Sequence, residues 1–204
     1  MADQTFQTAY FDGATPSPST TSFTISPDSP TDIWSKPGPP EVITFNAPII
    51  YKTIPLSKFQ RARVTVTAEW GTLYDQGGMV FILPSSVEGQ AGKWIKTGVE
   101  FYSDEVYVST VVKDSWADWS LVQAGIRDGK VVTLEMERDA KEGTLWIYVI
   151  DGEKRIPLRE VTWVLSEEEQ EVWVGVYSAT PTTERGDRGK LVVEFRDWEL
   201  DLKN

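Results

Sequence analysis

The run from Trp94 to Tyr102 sets a lysine, a carboxylate and aromatic rings at alternate positions of one short segment. Side chains of a strand point to opposite faces in turn. Trp94, Lys96, Gly98, Glu100 and Tyr102 therefore share one face, and Ile95, Thr97, Val99 and Phe101 share the other. The second set reads as core. The first is a charged and aromatic surface with a glycine at its centre, where something can approach the backbone closely. Lys96 and Glu100 stand roughly 13 Å apart along such a strand. Each then needs a partner on an adjacent strand, or a ligand between them. Tyr74 and Gln76 share a face elsewhere, as do Tyr107 and Ser109, and Trp173 and Tyr177 flank Gly175. Stacked across a curved sheet, these groups suit a sugar: rings cover its apolar C–H face, while amides and carboxylates take its hydroxyls. The competing reading is an ordinary outer strand face, because Trp and Tyr are good strand formers.

Two further clusters are candidates. Trp116, Asp118, Trp119 and Ser120 fall in a loop-like run after a strong strand, where the tryptophans either cap the core or wall a cleft. Glu135, Glu137 and Asp139 alternate along one strand, roughly 6.7 Å apart at the backbone. Paired carboxylates at such distances are the equipment of glycoside hydrolysis. Lys96 with Glu100 offers a second acid–base pair for a lyase or hydrolase. Calcium ligation would need a dense acidic loop. Glu184 to Arg188, with Asp187 between arginines, reads as a solvated loop instead. The expectation is no catalytic residue, no metal and no cofactor.

The 204 residues include no cysteine and no histidine, which excludes disulfides, Cys or His metal sites and His-dependent triads. Twenty basic residues against 31 acidic ones give a net charge of −11. That balance argues against nucleic acid or an anionic membrane as partner. The first ten residues carry no basic-then-apolar leader, and no apolar run approaches the roughly 20 residues of a membrane span. A soluble, cytoplasmic chain is expected.

These groups must be positioned by strands. From Ala14 to Glu41 the chain is rich in Pro, Ser and Thr, which disfavours helix. Ser22 to Ser26 and Asp32 to Trp34 are extended pieces that can add edge strands. Beyond Arg61 the pattern turns to short alternating runs. Strands are predicted at Arg61–Trp70, Asp75–Leu83, Trp94–Tyr102, Val106–Lys113, Lys130–Asp139, Thr144–Asp151, Val172–Ser178 and Lys190–Leu200. Asp128-Gly129 and Asp151-Gly152 are hairpin signals. Pro157 to Glu171 holds one candidate helical turn, with Ser166 as N-cap before Glu167, Glu168 and Glu169. The spacing predicts an all-β sandwich or barrel. Residues 1–22 read as a partly extended N-terminal arm and 23–204 as a single domain.

Several runs, taken in order, carry a resemblance. They are Thr31-Asp32-Ile33-Trp34, Phe45-Asn46-Ala47-Pro48, Tyr74-Asp75-Gln76-Gly77-Gly78 and Trp94-Ile95-Lys96-Thr97-Gly98-Val99-Glu100. Val108-Ser109-Thr110-Val111-Val112, Ser115-Trp116-Ala117-Asp118-Trp119-Ser120, Gly175-Val176-Tyr177-Ser178-Ala179-Thr180-Pro181 and Phe195-Arg196-Asp197-Trp198 follow. Together they resemble a family of concanavalin A-like domains, formerly of unknown function, that includes the yeast protein called regulation of enolase. The resemblance covers the chain from about Phe23. It implies an all-β, lectin/glucanase-type jelly-roll sandwich of two antiparallel sheets, one of them concave. It also implies that the Pro-rich arm folds partly onto the domain as an edge strand, and that the protein is cytoplasmic. The site it implies centres on Gln76, Trp94, Lys96, Glu100, Asp118 and Trp119, to which the strand faces add Tyr177. Hydrolases of this fold carry Glu-x-Asp-x-x-Glu or Glu-x-Asp-x-Glu. Here Glu135-Met136-Glu137-Arg138-Asp139 exchanges the acid types at the second and third places, which argues against hydrolysis.

The expected function is a non-catalytic binding or regulatory domain for a carbohydrate or sugar-like metabolite. The resemblance adds enolase or another metabolic enzyme as a partner. A glycoside hydrolase or lyase, and a protein-interaction scaffold, are the alternatives.

Overall fold

Short alternating runs, cut by Gly, Pro and Asp, fold into strands throughout. The computed structural model describes residues 5–85, 92–166, 170–183, 186 and 188–203. The early strands are β1 (Gln7–Ala9), β2 (Phe23–Ile25), β3 (Ile33–Lys36), β4 (Val42–Phe45), β5 (Ile49–Pro55) and β6 (Phe59–Thr67). Next come β7 (Gln76–Leu83), β8 (Lys93–Tyr102), β9 (Glu105–Lys113) and β10 (Ala117–Val122). The last are β11 (Val131–Asp139), β12 (Thr144–Asp151), β13 (Lys154–Val161), β14 (Glu171–Ala179) and β15 (Val193–Leu202). One turn of 3-10 helix, Leu56–Lys58, is the only helical element among the described residues. No helix there is long and apolar enough to cross a membrane.

Two antiparallel sheets face each other. One has seven strands in the order β1-β5-β14-β7-β8-β9-β10, the other six in the order β13-β12-β11-β6-β15-β2. Met79, Phe81, Ile95 and Val99 from the first meet Val64, Val66, Leu134 and Ile147 from the second in one core. Each fully buried side chain of this kind contributes roughly 1.5–3 kcal/mol. The expected faces of β8 hold: Ile95, Thr97 and Val99 point into the sandwich, while Lys96 and Glu100 point out of it.

The eight strands expected from alternation are all present, Thr144–Asp151 with the expected bounds and the others with one or both ends shifted. Asp128 and Gly129 adopt φ of 53° and 67°, which closes the tight turn bridged by Arg127 and Val131. Two departures matter. The loop-like run around Trp119 is the edge strand β10, in register with β9. Pro157 lies within strand β13, not in a helical turn. It is tolerated because β13 is an edge and a bulge opposite Ile147/Tyr148 accommodates it. Ser166 hydrogen-bonds back to Trp163 through both its amide and its hydroxyl, and Glu167, Glu168 and Glu169 lie outside the described residues, as do Glu184, Arg185 and Asp187.

The Pro-rich segment does more than add edges. β1 and β2 are edge strands on β5 and β15. Phe6 is buried against Phe23 and Trp198. β3 and β4, however, pair only with each other. This hairpin lies on the outer face of the seven-stranded sheet. Ile33 is fully buried there in a second core with Ile49, Tyr51, Val80, Trp94 and Tyr177.

Candidate functional site

β8 runs through the middle of the site, and cross-strand register decides its neighbours. Gln76 of β7 stands directly opposite Glu100, and Val111 of β9 opposite Lys96. Trp119 of β10 stands opposite Val111. Tyr177 of β14 stands opposite Gly78 of β7. The hairpin supplies Asp32, Trp34 and Lys36, at alternate positions and therefore on one face. Together with Tyr74 and Pro181 they enclose a pocket of about 300 Å³.

Its floor is a polar network. The Lys96 ammonium, almost wholly buried, donates to Gln76 Oε1 at 2.7 Å and to Asp32 Oδ1 at 3.0 Å. The Tyr177 hydroxyl donates to the same Gln76 oxygen at 3.3 Å. The Asp32 oxygen also accepts the Ile33 amide at 2.7 Å, which fixes the carboxylate at the start of the hairpin, and its bond from Lys96 ties that start to the sheet. Glu100 is 5% exposed. It accepts Trp119 Nε1–H at 3.2 Å, and the same N–H reaches Ser109 Oγ at 3.1 Å. Burial pushes the Glu100 carboxyl above its ordinary range, against the pull of Lys96, Ser109 and Trp119. Burial likewise pushes the Tyr177 phenol well up, with Glu100 and Asp32 adding to it. The phenol is a hydrogen-bond donor here, not a base.

The walls are aromatic. Trp119 packs edge-on against Trp34, Tyr74 and Tyr102, with centroids 6.2, 6.3 and 5.6 Å away. Tyr74 has φ of 65°, uncommon for a residue with a side chain. Its turn is held by Asp75, fully buried, whose carboxylate accepts the Thr72 amide at 2.9 Å and the Thr180 hydroxyl at 3.1 Å.

The structure brings together five of the seven residues singled out from the sequence. Gln76, Lys96, Glu100 and Trp119 line the pocket, and Tyr177 braces Gln76 from behind. Trp94 is 1% exposed, packed in the core beneath the hairpin, and does not reach the pocket wall. Asp118 points the other way from Trp119 because β10 is a strand. Its side chain is largely exposed, 3.6 Å from Arg159, beside a separate crevice lined by Trp116 and Trp163. Asp32, Trp34, Lys36 and Tyr74 complete the site. The alternation of Asp32, Trp34 and Lys36 was a legible signal, but nothing local says that this hairpin folds over β8.

Gly98 has a different role from the one its position suggests. A Cβ there would lie 2.2 Å from the carbonyl oxygen of Gly77 on the neighbouring strand. The glycine admits the adjacent backbone and not a ligand. Glu135, Glu137 and Asp139 lie on β11 of the other sheet, remote from the pocket. Arg61 and Arg155 neutralise the first two: Glu135 is 3.0 and 2.7 Å from them, and Glu137 pairs with Arg155. The Asp139 carboxylate caps the following turn by accepting the amides of Lys141 and Glu142. No group of three or more acidic residues among those described is placed to hold a metal ion.

Two sheets of this order, with the candidate site on the outer face of the larger, define a concanavalin A-like β-sandwich of the lectin type. The chain belongs to the family described as "Protein of unknown function (DUF1349)", which matches residues 13–202. It is 48% identical over 183 residues to an uncharacterized protein, AN7484, of Emericella nidulans, covering 88% of this chain and 86% of that one. It is 29% identical over 139 residues to Regulation of enolase protein 1 of Saccharomyces cerevisiae, covering 68% of this chain and 62% of that one. A crystal structure of a functionally unknown protein from Saccharomyces cerevisiae superimposes with a TM-score of 0.76 at 22% identity, over 100% of this chain and 98% of the other. The winged bean acidic lectin, complexed with methyl-alpha-D-galactose, superimposes at 0.55 and 12% identity, over 98% and 100% of the chains. Likeness at such identity establishes the fold and nothing about ligands.

Proposed function

We propose that this is a non-catalytic binding domain that holds one sugar-sized, polyhydroxylated metabolite in the pocket on the concave sheet. The observation that carries the reading is the bonded set of Lys96, Asp32 and Gln76, with the buried Glu100 beside it, under walls of Trp34, Tyr74 and Trp119. Aromatic rings suit the C–H face of a sugar ring, and the network presents donors and acceptors to its hydroxyls. A volume of about 300 Å³ lies at the small end of ligand sites, which span roughly 300–1,000 Å³. A single sugar unit suits it better than a polymer. Binding without turnover is favoured because Tyr177 is fully buried behind Gln76 and Glu100 is tied to Trp119. Neither group is set to move a proton to a guest.

A tryptophan-fluorescence and calorimetric titration with single sugars, oligosaccharides and sugar phosphates tests the reading. A saturable response with one class, lost in Trp119→Ala, is expected. No response from any class would overturn it.

The name of the yeast relative favours a second reading, in which the domain regulates a cytoplasmic metabolic enzyme such as enolase. The acidic surface would then carry the contact, with no role for nucleic acid or membrane. Association with purified enolase that weakens as salt rises is expected from screened surface charge. Absence of association at low salt would refute it.

A further inference from the structure

Resting on the reading of the pocket as a metabolite site, we infer that its ligand is anionic: a polyhydroxylated metabolite whose carboxylate or phosphate sits between Lys36 and Lys96. The pocket is lined by two lysines and two carboxylates, Asp32 and Glu100. One oxygen of each carboxylate is already engaged. Asp32 Oδ1 takes Lys96, the Ile33 amide and, at 3.5 Å, the Gln76 amide. Glu100 takes Trp119 Nε1–H at 3.2 Å. The donors are less fully engaged. An ammonium has three N–H groups, and Lys96 uses two of them, on Gln76 and Asp32. Lys36 is exposed at the end of β3, and among the described residues its ammonium has no hydrogen bond or ion pair.

Lys96 and Asp32 thus cancel each other's charge, and Lys36 is left as a cation that the described residues do not pair. A neutral sugar needs both kinds of partner, because each hydroxyl donates as well as accepts. An anionic oxygen needs donors only, and charge-assisted bonds to lysine are the stronger kind. Burial works in the same direction, since it pushes the Glu100 carboxyl up and reduces the negative charge a guest meets. The setting makes the two lysines more telling. The chain as a whole carries −11, so its long-range field repels anions, yet this pocket sets two lysines against two carboxylates.

The test compares D-glucose, D-glucuronate and D-glucose 6-phosphate by calorimetry on the full chain at 0.15 M salt. At least one anionic probe is expected to bind about tenfold or more tightly than glucose, the scale of one charge-assisted contact. Whichever anion binds more tightly separates the carboxylate from the phosphate. Lys36→Gln, at an exposed position that does not threaten folding, is expected to abolish this preference, lowering the affinity for the anionic probe about tenfold more than that for glucose. Equal affinity for all three probes overturns the inference and leaves the sugar-site reading standing. An anion preference that survives Lys36→Gln also overturns it, because the contact would then lie elsewhere. Failure of all three to bind takes down the sugar-site reading itself, and the inference with it.

Discussion

Replacing Gly98 by alanine is expected to destabilise the fold by about 2–6 kcal/mol, and the magnitude follows from three distances. The added Cβ would lie 2.2 Å from Gly77 O, 2.7 Å from Gly77 C and 2.8 Å from Gly78 Cα. All three are backbone atoms of β7, so no side chain can swing aside. A carbon and a carbonyl oxygen normally approach to about 3.3–3.6 Å. Relief needs a displacement of roughly 1 Å between strands that should stand about 4.8 Å apart. Two ladder hydrogen bonds near Gly78–Gly98 would be stretched, at about 0.5–1.5 kcal/mol each. Overpacking adds about 1–3 kcal/mol. Urea unfolding followed by the fluorescence of the nine tryptophans measures the loss. Gly189→Ala is the control: a Cβ there meets nothing within 4 Å, and a change within about 0.5 kcal/mol is expected. A Gly98→Ala variant that loses less than about 1 kcal/mol but no longer binds ligand would refute the reasoning. It would mean that the glycine leaves room for a guest and not for the neighbouring strand.

Three more outcomes are expected. Lys96→Met leaves Asp32 and Gln76 without their shared donor. A broken buried pair costs roughly 3–5 kcal/mol, and Asp32, with its side chain 21% exposed, brings the expectation down to about 2–3 kcal/mol by the same urea assay. A neutral result would show that the lysine's desolvation cancels its bonds. Glu100 binds its proton more tightly folded than unfolded, because burial raises its pKa. Its contribution therefore favours folding while the group is protonated. That contribution is lost as pH rises from the ordinary carboxylate value of about 4.3 through the raised one. The difference in stability between the wild type and Glu100→Gln should shift against the wild type across that window, and a difference independent of pH would refute it. Glu137→Gln, on the far sheet and paired with Arg155, should leave every pocket affinity unchanged; a loss of binding there would relocate the site.

Much of this molecule was legible locally. The alternation of Ile95, Thr97 and Val99 with Lys96 and Glu100 assigned the two faces of β8 correctly, because a pleated strand leaves no other arrangement. Asp128-Gly129 announced its turn because few other pairs accept two positive φ angles. Trp119 and Asp118 were harder. Read as a loop, their directions are undetermined; paired with β9, one must face the pocket and the other the solvent.

Local pattern sufficed for an all-β chain, the polar and apolar faces of its central strands, and the residue types available to a site without histidine or cysteine. It did so because strand periodicity and composition are local properties. Tertiary packing laid the β3–β4 hairpin over the outer face of the seven-stranded sheet and brought Asp32 onto Lys96, 64 positions away. It alone buried Trp94 and turned the acidic residues of β11 toward arginines. Those outcomes depend on which strands pair and in what register, and long-range pairing is selected by the packing of the whole core. No local pattern encodes it.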